Sequence, residues 1–390
     1  MILGASILQL PAIKQAKEMG LNVVVVDMNP DAIGFKEEGI EKEIISTIDI
    51  PKVVIAAKKH KIDGIMTLAT DMPIETVSAV AKEMNLVGLD EQTALNATNK
   101  YEMRKALAKS CVPIPLFYKV SNVDELNAVL PNFKGKFIVK PADNSGSRGI
   151  FLVENKLKAV EAFEFSKANS RNGDVLVEEY MEGPEVSVET LTVGGVCHVI
   201  QITDKLTTGS PHFVEMGHSQ PSQLSQNIQE KIKEVAVAAN KAIGIDKGPS
   251  HTEIIVTSEG PKIVELGARL GGDCITTDLV PLSTGINMVE LCIRLSLNMD
   301  VCINRGLEKG SAIRYYPQPQ GLIVDVFGLN SALMSKGVKK VVFTADKGDM
   351  VFPIRNSSDR IGYVISQDEN PKEAILDCEK AIEKISVICE

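Results

Sequence analysis

The 390-residue chain is 44% hydrophobic, and 42 Lys and Arg against 51 Asp and Glu give it a formal net charge of −9. This length suits two or three packed domains, and the acidic balance disfavours a general nucleic-acid-binding protein. Seven Cys without a CxxC pair indicate reduced thiols, and no apolar run reaches the roughly 18–20 residues that cross a bilayer. We therefore expect a cytoplasmic protein without a membrane or nucleic-acid partner.

The first hundred residues alternate between strand-like and helix-like patterns. NVVVVDMNP is a continuous β-branched run of the kind that parallel sheets bury on both faces, and DGIMTLATD and LVGLD repeat the pattern. Helical periodicity covers residues 7–19, 51–59 and 73–84, and Gly20 is a helix stop. This βαβ order predicts a doubly wound parallel α/β domain over residues 1–98.

A dinucleotide site is one alternative for this first domain. Asp27 closes the second strand, where the ribose-binding acid of a dinucleotide fold lies. The first turn reads G-A-S, however, and lacks the glycines of the GxGxxG fingerprint. The pattern therefore favours an open α/β domain whose strand ends line a cleft.

The order of the elements changes after residue 98. A helix that ends before a pair of prolines is predicted in TNKYEMRKALAKSCVPIP, and strands are predicted in KFIVKP, GIFLVEN and DVLVEEY. Further helices are predicted at residues 156–171, 225–243 and 371–386. VSVETLTVGGVCHVIQITDK and HTEIIVTSEGPKIVELG each have two apolar runs around a glycine-containing turn, which indicates hairpins. This part of the chain is therefore of the α+β class.

The segment KPADNSGSRGI at residues 140–150 places a small polar loop between two predicted strands. The backbone N–H groups of such a loop can surround an anion, and Lys140 ends the preceding strand. The loop is not a Walker A motif, because GxxxxGK[ST] is absent. Taken alone, the segment fits an ordinary hairpin turn with a surface lysine equally well.

Acidic side chains end the strand in DVLVEEYMEGPE. Glu178 and Glu179 follow an apolar run, and Glu185 follows a Gly-Pro turn. A carboxylate at a strand end can accept hydrogen bonds from a ribose hydroxyl or a purine amine. Three solvated acids near a turn would produce the same pattern, so this segment supports a nucleotide site only together with others.

The second predicted hairpin carries the strongest site signal. Glu253 and Glu265 lie on strands joined by a turn at Ser258-Glu259-Gly260, so that their carboxylates are opposite or nearly so. Two carboxylates on one face suit Mg²⁺ that bridges phosphate oxygens. Arg269 follows in a glycine-bounded loop, where it could neutralise charge on a phosphoryl group or an oxyanion. A hairpin with two acids and an arginine counter-ion is the alternative.

Taken together, these motifs resemble the ATP-grasp superfamily of carboxylate–amine ligases over most of the chain. Their order is Asn99-Lys100, the VKP segment with its glycine-rich loop, the EEY segment, the two hairpin acids and the arginine. The sequence is most similar to L-amino-acid ligases, with biotin-carboxylase-like and glycinamide-ribonucleotide-forming enzymes as further relatives. The domains that the resemblance implies are an N-terminal α/β domain at 1–98, an ATP-grasp domain at 99–310 with a lid at about 112–180, and a C-terminal α+β subdomain at 311–390.

The resemblance also implies roles for individual residues. The residues implied to bind the nucleotide are Lys100, Lys140, Ser145, Gly146, Ser147, Gly149, Glu178, Tyr180 and Glu185. In this set the lysines would contact phosphates, Glu178 the adenine amine and Glu185 the ribose. Glu253 and Glu265 would hold Mg²⁺ or Mn²⁺. Arg269 and Lys140 would be catalytic, with the arginine stabilising the acyl-phosphate.

Two further segments are implied to form the substrate pocket. One is an E-x-G-H segment, which faces the acceptor in amino-acid ligases and whose acid can hold an ammonium group. The other is GARLGGD, which contains Arg269. The implied substrate residues are Glu215, His218, Arg269, Gly271, Gly272 and Asp273. One position departs from the family pattern, because many members read E-x-N-x-R where this chain reads E-L-G-A-R. Gly267 therefore supplies no side-chain ligand to a metal.

The function that the resemblance implies is ATP-dependent formation of an amide bond. A small-molecule carboxylate would be activated as an acyl-phosphate, and an amine would then attack it with release of ADP and phosphate. The expected product is an amino acid or a dipeptide, and the expected assembly is a homodimer. The first alternative is a biotin-carboxylase-like or purine-pathway enzyme that acts on bicarbonate or formate. The second is a non-catalytic nucleotide-binding regulator.

Overall fold

The N-terminal part of the chain alternates strands with helices, as its sequence pattern predicts. The computed structural model describes residues 1–143 and 149–390. The first elements are β1 (Ile2–Leu3), α1 (Leu10–Glu18), β2 (Val23–Asp27), a 3₁₀ helix (Ile33–Lys36), β3 (Ile40–Ile44), α2 (Ile50–His60), β4 (Met66–Thr67) and α3 (Ile74–Met84). The strands pair in parallel in the order β3-β2-β1-β4, which confirms the predicted parallel sheet.

The strand predicted in LVGLD is wrong, because this segment is a connection between two helices. Gly88 lies against α3, where an added Cβ would come within 2.4 Å of the Ala81 Cβ. The Ser78 hydroxyl donates a hydrogen bond to the backbone carbonyl of Leu89. Asp90 accepts a hydrogen bond from the backbone N–H of Thr93 and so caps the next helix.

A second, antiparallel sheet lies within residues 112–180, where the resemblance implies a lid, and we name it the lid sheet. The elements of this part of the chain, including the four strands of the sheet, are α4 (Glu91–Thr98), α5 (Lys100–Lys109), β5 (Phe117–Val120), α6 (Val123–Val129), a 3₁₀ helix (Leu130–Asn132), β6 (Phe137–Pro141), β7 (Phe151–Val153), a 3₁₀ helix (Lys156–Lys158), α7 (Ala159–Ala168) and β8 (Val175–Glu179). The strand order is β5-β8-β6-β7. Ser145, Gly146 and Ser147 of the glycine-rich loop lie outside the described residues.

The next elements include both predicted hairpins. They are β9 (Glu185–Val193), β10 (Val196–Thr207), β11 (Glu215–Gln220), α8 (Gln226–Ile243), β12 (Gly248–Thr257), β13 (Gly260–Gly267), a π-helix (Ile275–Leu279), α9 (Val280–Thr284) and α10 (Met288–Ser296). Strands β9 and β10 pair around the Gly194-Gly195 turn, and β12 and β13 pair around Ser258 and Glu259. Both hairpins are therefore confirmed.

Three of the C-terminal strands, β14, β16 and β18, join the same sheet as the hairpins. They are β14 (Gly310–Tyr315), β15 (Gly321–Phe327), α11 (Leu329–Leu333), β16 (Val338–Phe343), β17 (Met350–Val351), a 3₁₀ helix (Ser357–Asp359), β18 (Gly362–Asp368), α12 (Pro371–Ile382) and β19 (Ser386–Cys389). Among the described residues, eight antiparallel strands run in the order β13-β12-β9-β10-β11-β14-β18-β16. A small sheet has the order β17-β15-β19. The predicted domain boundary at residue 310 thus falls at the start of a strand of the large sheet.

Helices cover the large sheet and supply its core. The apolar face of α8, with Ile232, Ala236 and Ile243, packs against Val188 of β9 and Ile254 of β12. Burial of such aliphatic side chains stabilises the sheet by about 1.5–3 kcal/mol for each large residue. Within the described ranges no helix combines the length and the apolarity that crossing a membrane requires. The predicted site residues Glu185, Glu215, Glu253 and Glu265 lie on β9, β11, β12 and β13 of the large sheet.

Candidate active site

A cavity of about 360 Å³ is lined by residues of the parallel sheet, the lid and the large sheet. Most of the residues that the sequence predicts for a site meet there. Those that line it are Lys100, Lys140, Glu178, Tyr180, Glu185, Glu215, His218, Glu253, Glu265, Arg269, Gly272 and Asp273. Two described glycines of the predicted set, Gly149 and Gly271, are not among the lining residues.

A buried ion triad lies on the lid side of the cavity. Both carboxylate oxygens of Glu178 accept hydrogen bonds from Arg104, at 2.7 and 3.0 Å, and Lys140 Nζ lies 2.6 Å from Glu178 Oε2. Burial raises the pKa of Glu178, but the charges of Arg104 and Lys140 outweigh burial and lower this pKa to about 2. Lys140 is thus held at the end of β6, and contact of Glu178 with an adenine amine stays a prediction.

Lys100 reaches the cavity from the first turn of α5. The Asn99 side chain caps this helix by accepting hydrogen bonds from the N–H groups of Tyr101 and Glu102. The Lys100 backbone N–H donates to the Ala142 carbonyl over 2.9 Å, which ties the helix to the end of β6. Its ammonium lies 2.7 Å from Glu265 Oε1. A helix start and a strand end therefore present Lys100 and Lys140 to one space.

The two predicted metal acids are directly opposite on the β12–β13 hairpin. Glu253 pairs with Glu265, and a bulge follows between Glu253 and Ile254. The ammonium of Lys205 lies 3.2 Å from Glu253 and 3.6 Å from Glu215, and it also contacts Glu185. Burial lowers the pKa of Lys205, but the three carboxylates outweigh burial and raise this pKa well above its usual value. Lys205 therefore remains a cation.

Glu253 and Glu265 are carboxylates of the kind that a divalent metal ion binds. Each forms an ion pair with a lysine, so a metal ion would share these carboxylates with two ammonium groups. Burial raises the pKa of Glu253, but the charges of Lys205 and His251 outweigh it and hold this pKa well below its usual value. Within residues 1–143 and 149–390, no cluster of three or more His, Cys, Asp or Glu side chains has a metal-binding arrangement. Two carboxylates suit Mg²⁺ that takes its other ligands from phosphate and water.

His251 connects the hairpin to the floor of the cavity. Its Nδ1 lies 2.8 Å from Glu189 Oε1 and its Nε2 lies 3.4 Å from Glu253 Oε1. Burial lowers the pKa of His251, but Glu189 and Glu253 outweigh burial and raise it to about 9. An added Cβ on Gly271 would approach His251 Nδ1 within 2.7 Å and Glu189 Oε2 within 2.8 Å. Gly271 thus makes room for this pair without lining the cavity itself.

The predicted substrate residues Glu215, His218 and Asp273 share the far end of the cavity. His218 Nε2 lies 3.4 Å from Asp273 Oδ2. Arg360 of the C-terminal part donates to both oxygens of Asp273 over 2.9 Å and to the backbone carbonyl of Glu215 over 2.8 Å. The guanidinium lies 3.7 Å from the centre of the Tyr315 ring, within range of a cation–π contact. Arg360 therefore fixes two segments of the implied substrate pocket.

The backbone at Asp273 is strained. Asp273 and Cys274 have φ of 48° and 60°, the left-handed region that costs most residues free energy. The π-helix from Ile275 to Leu279 follows directly, and such helices often occur at functional sites. The ion pair with Arg360 offsets part of this cost.

Arg269 is paired with an acid from the N-terminal sheet. Its Nε and Nη2 donate to the two oxygens of Asp71 over 2.9 and 3.2 Å, although the two residues are 198 positions apart. Burial lowers the pKa of Arg269, but the charges of Asp71, Glu253 and Glu265 outweigh burial and raise this pKa. The arginine is therefore charged and held at the predicted site.

Sequence reasoning missed several charged residues that complete the site, namely Asp71, Arg104, Glu189, Lys205 and Arg360. Arg104 has a usable signal, because it lies four residues after Lys100 and so on the same face of α5. Lys205 also has one, since it ends the predicted hairpin strand in VCHVIQITDK. No local pattern identifies the others.

Comparison with protein families gives two matches. The ATP-grasp domain matches residues 133–278, and the L-amino acid ligase C-terminal domain 2 matches residues 314–390. The first match contains β6, β7 and β8, both hairpins and the acids Glu253 and Glu265, and the second contains β15 to β19.

Curated relatives are similar at low identity. The protein y4rH of Sinorhizobium fredii is 24% identical over 383 residues, which is 96% of this chain and 79% of that protein. The alanine–anticapsin ligase of Bacillus subtilis strain 168 is 26% identical over 288 residues. That alignment covers 68% of this chain but 60% of the ligase, which is less than two thirds of its length.

Solved structures share the fold over nearly the whole chain. The L-amino acid ligase from Bacillus licheniformis has a TM-score of 0.87 at 23% identity, covering 100% of this chain and 98% of that one. Phosphoribosylglycinamide synthetase from Anaerococcus prevotii has a TM-score of 0.81 at 24% identity, with the same coverage. The biotin carboxylase domain of Hydrogenobacter thermophilus 2-oxoglutarate carboxylase, solved with MgADP and bicarbonate, has a TM-score of 0.78 at 17% identity, covering 99% of this chain and 90% of that one.

Proposed function

We propose that this chain, an ATP-dependent ligase of the ATP-grasp superfamily, joins a carboxylate to an amine and thereby forms an amino acid or a dipeptide. The observation that carries the proposal is the convergence of two lysines, two facing carboxylates and an arginine on one cavity. Lys100, Lys140, Glu253, Glu265 and Arg269 come from three separate segments of the chain and all line that space. Such a set suits a triphosphate, a divalent ion and a carboxylate brought together.

In this proposal the residues stabilise the charge of the reacting groups and hold the two substrates in position. The substrate carboxylate attacks the γ-phosphorus of ATP, ADP leaves, and an acyl-phosphate remains. Lys100 and Lys140 bind phosphate oxygens, and Arg269 stabilises the charge that develops during both steps. Mg²⁺, held by Glu253 and Glu265, would neutralise phosphate charge when bound.

The second step transfers the acyl group to nitrogen. The amine attacks the acyl carbon, the C–O bond to phosphate breaks, and the nitrogen loses a proton as the amide forms. Water must be excluded meanwhile, because it would hydrolyse the acyl-phosphate. Glu215 and Asp273 are acids at the far end of the cavity, and Glu215 suits the ammonium group of an amino-acid substrate.

Similarity to proteins named as amino-acid ligases supports this choice of substrate class over bicarbonate or formate. The C-terminal domain match carries that description, and the name of the alanine–anticapsin ligases includes an amino acid, alanine. The homodimer is proposed on the same resemblance, and light scattering would measure it.

The test is a screen for ADP release with all pairs of the common amino acids, with mass spectrometry of the products. We expect ADP and a condensed product of equal amount for a restricted set of pairs. ADP release that depends on bicarbonate or formate, without amide product, would contradict the proposal. Nucleotide binding without turnover under any of these conditions would favour a regulator instead.

A further inference from the structure

We propose that Asp71, from the N-terminal parallel-sheet domain, is a positioning residue for Arg269, and that Gly267 is the residue that makes room for it. The inference rests on the proposed function, in which Arg269 is the catalytic cation. It also gives a physical reason for the glycine in E-L-G-A-R, where many relatives have a residue with a side chain.

The contact has the geometry of a positioning device. Arg269 Nε and Nη2 reach the two oxygens of Asp71 in a parallel, two-bond arrangement. Such pairing fixes the plane of a guanidinium as well as its charge. Both side chains are largely shielded from solvent, with relative exposures of 14% and 16%, so the pair is screened less than a surface pair. The remaining Nη1 donates to the Leu270 carbonyl over 3.3 Å.

The Asp71–Arg269 pair occupies the space that a side chain at Gly267 would need. An added Cβ would lie 2.5 Å from Asp71 Oδ1 and 3.0 Å from Arg269 Nε. Either distance is too short for a normal contact, and the first is far shorter than carbon and oxygen tolerate. A Cβ at position 267 would therefore force the Asp71 carboxylate, the Arg269 guanidinium or both to move from the paired arrangement.

The N-terminal domain delivers Asp71 through a fixed turn. The turn follows β4 and ends where the backbone carbonyl of Asp71 accepts a hydrogen bond from the Ile74 N–H at the start of α3. Within it, Ala69 has a φ of 61°, and the Leu68 carbonyl accepts a 2.6 Å hydrogen bond from Gln9. A non-glycine residue in the left-handed region costs about 1–3 kcal/mol, so the surrounding structure holds this turn in place.

Asp71 has a different task from the metal acids. Both oxygens of Asp71 accept hydrogen bonds from Arg269, whereas Glu253 and Glu265 are paired with lysines. The carboxylate instead acts through the arginine, whose orientation decides how well it meets the charge on the reacting group.

The experiment is a double-mutant cycle with Asp71→Ala, Gly267→Ala and the double variant, and with Asp71→Asn as the conservative change. ADP release gives kcat and the KM for ATP. We expect about a tenfold or greater loss of kcat for each single alanine variant, with the KM for ATP within about twofold of wild type, because the arginine loses its orientation. Asp71→Asn, which keeps one acceptor oxygen, restores part of the loss. Asp31→Ala, at an exposed acid of the same domain, leaves kcat unchanged.

The decisive result is whether the losses of kcat in the two single alanine variants combine in the double variant. Because each change breaks the same contact, the double variant should be no slower than the slower single variant. Losses that multiply, or wild-type kcat in Asp71→Ala, would overturn the inference. Urea unfolding of the wild type, the two single alanine variants and the double variant gives a readout that does not depend on turnover. If the wild type releases no ADP, the proposed function fails. The Asp71–Arg269 pairing is then tested by the unfolding midpoints alone, and additive shifts in the two single variants would contradict it.

Discussion

The carboxylate of Glu178 is the most thoroughly paired group at the lid side of the cavity. Burial of an isolated carboxylate is costly, and the two cations offset this cost only while both are present. Arg104 is 1% exposed and donates to the Val264 carbonyl as well, so it also links α5 to the hairpin strand β13.

Replacing Arg104 should therefore destabilise the protein strongly. We expect Arg104→Ala to lower the free energy of unfolding by about 3–5 kcal/mol, because it leaves a buried carboxylate with one of its two cations. Urea titration followed by circular dichroism measures this. Lys58→Ala, which removes a lysine that pairs with Glu83 on the surface, is the matched control and should shift the midpoint little. Equal shifts in the two variants would show that the triad contributes no more than a surface pair.

The same triad predicts a pH dependence of stability. The folded-state pKa of Glu178 is about 2, below its usual value of 4.5, so its contribution is present above pH 4.5 and is lost as the pH falls through 2. The difference corresponds to roughly 3 kcal/mol. Urea unfolding of wild type and Glu178→Gln across this range isolates the effect. The variant should show the flatter slope, and parallel slopes would contradict the assignment.

For single residues, the sequence predicts which side chains line the cavity but not which of them form ion pairs with one another. Lys140 and Glu178 are each expected at a nucleotide site, and each lines the cavity. Their contact with one another and with Arg104 joins residues up to 74 positions apart, for which a single sequence carries no signal.

The β12–β13 hairpin is the element on which the chemistry depends. Its two-residue turn fixes the register as far as the Ile254–Ile263 pair, and this local rule alone would place Val264 opposite Glu253. The bulge between Glu253 and Ile254 brings Glu265 there instead, so the sequence predicts only that the two acids are nearly opposite. The LVGLD segment shows the reverse case, because packing of Gly88 against α3 overrides an apolar pattern.

Removing one acid of the hairpin should stop turnover without unfolding the protein. We expect Glu265→Gln to lower kcat for ADP release by about 100-fold or more, because the metal loses a charged ligand. Glu259→Gln, in the exposed turn of the same hairpin, is the control and should keep wild-type kcat. Thermal unfolding establishes that both variants fold. Full activity in Glu265→Gln would exclude this residue as a metal ligand.

Three parts of the whole molecule meet at the cavity. The turn after β4 contributes Asp71, the part that matches the ATP-grasp domain contributes the hairpin, and the C-terminal part contributes Arg360, which binds Asp273. Contacts between such distant segments follow from the tertiary arrangement, which is why sequence reasoning finds the domains' own motifs but neither Asp71 nor Arg360.

The arginine of the C-terminal part should affect substrate use more than nucleotide use. We expect Arg360→Lys to raise the KM for the substrate that contacts Asp273 by about tenfold, because an ammonium cannot reproduce the paired hydrogen bonds. The KM for ATP should change little. Arg355→Ala, at an exposed arginine five residues earlier, serves as the control. A rise confined to the KM for ATP would place Arg360 with the nucleotide instead.

The Lys205 ammonium among Glu185, Glu215 and Glu253 has a consequence for how ligands enter. A divalent ion on Glu253 would stand close to this ammonium, and the two positive charges would repel each other. An anion such as phosphate bound at the same time would reduce that repulsion, so we expect metal and phosphate to bind more tightly together than either does alone.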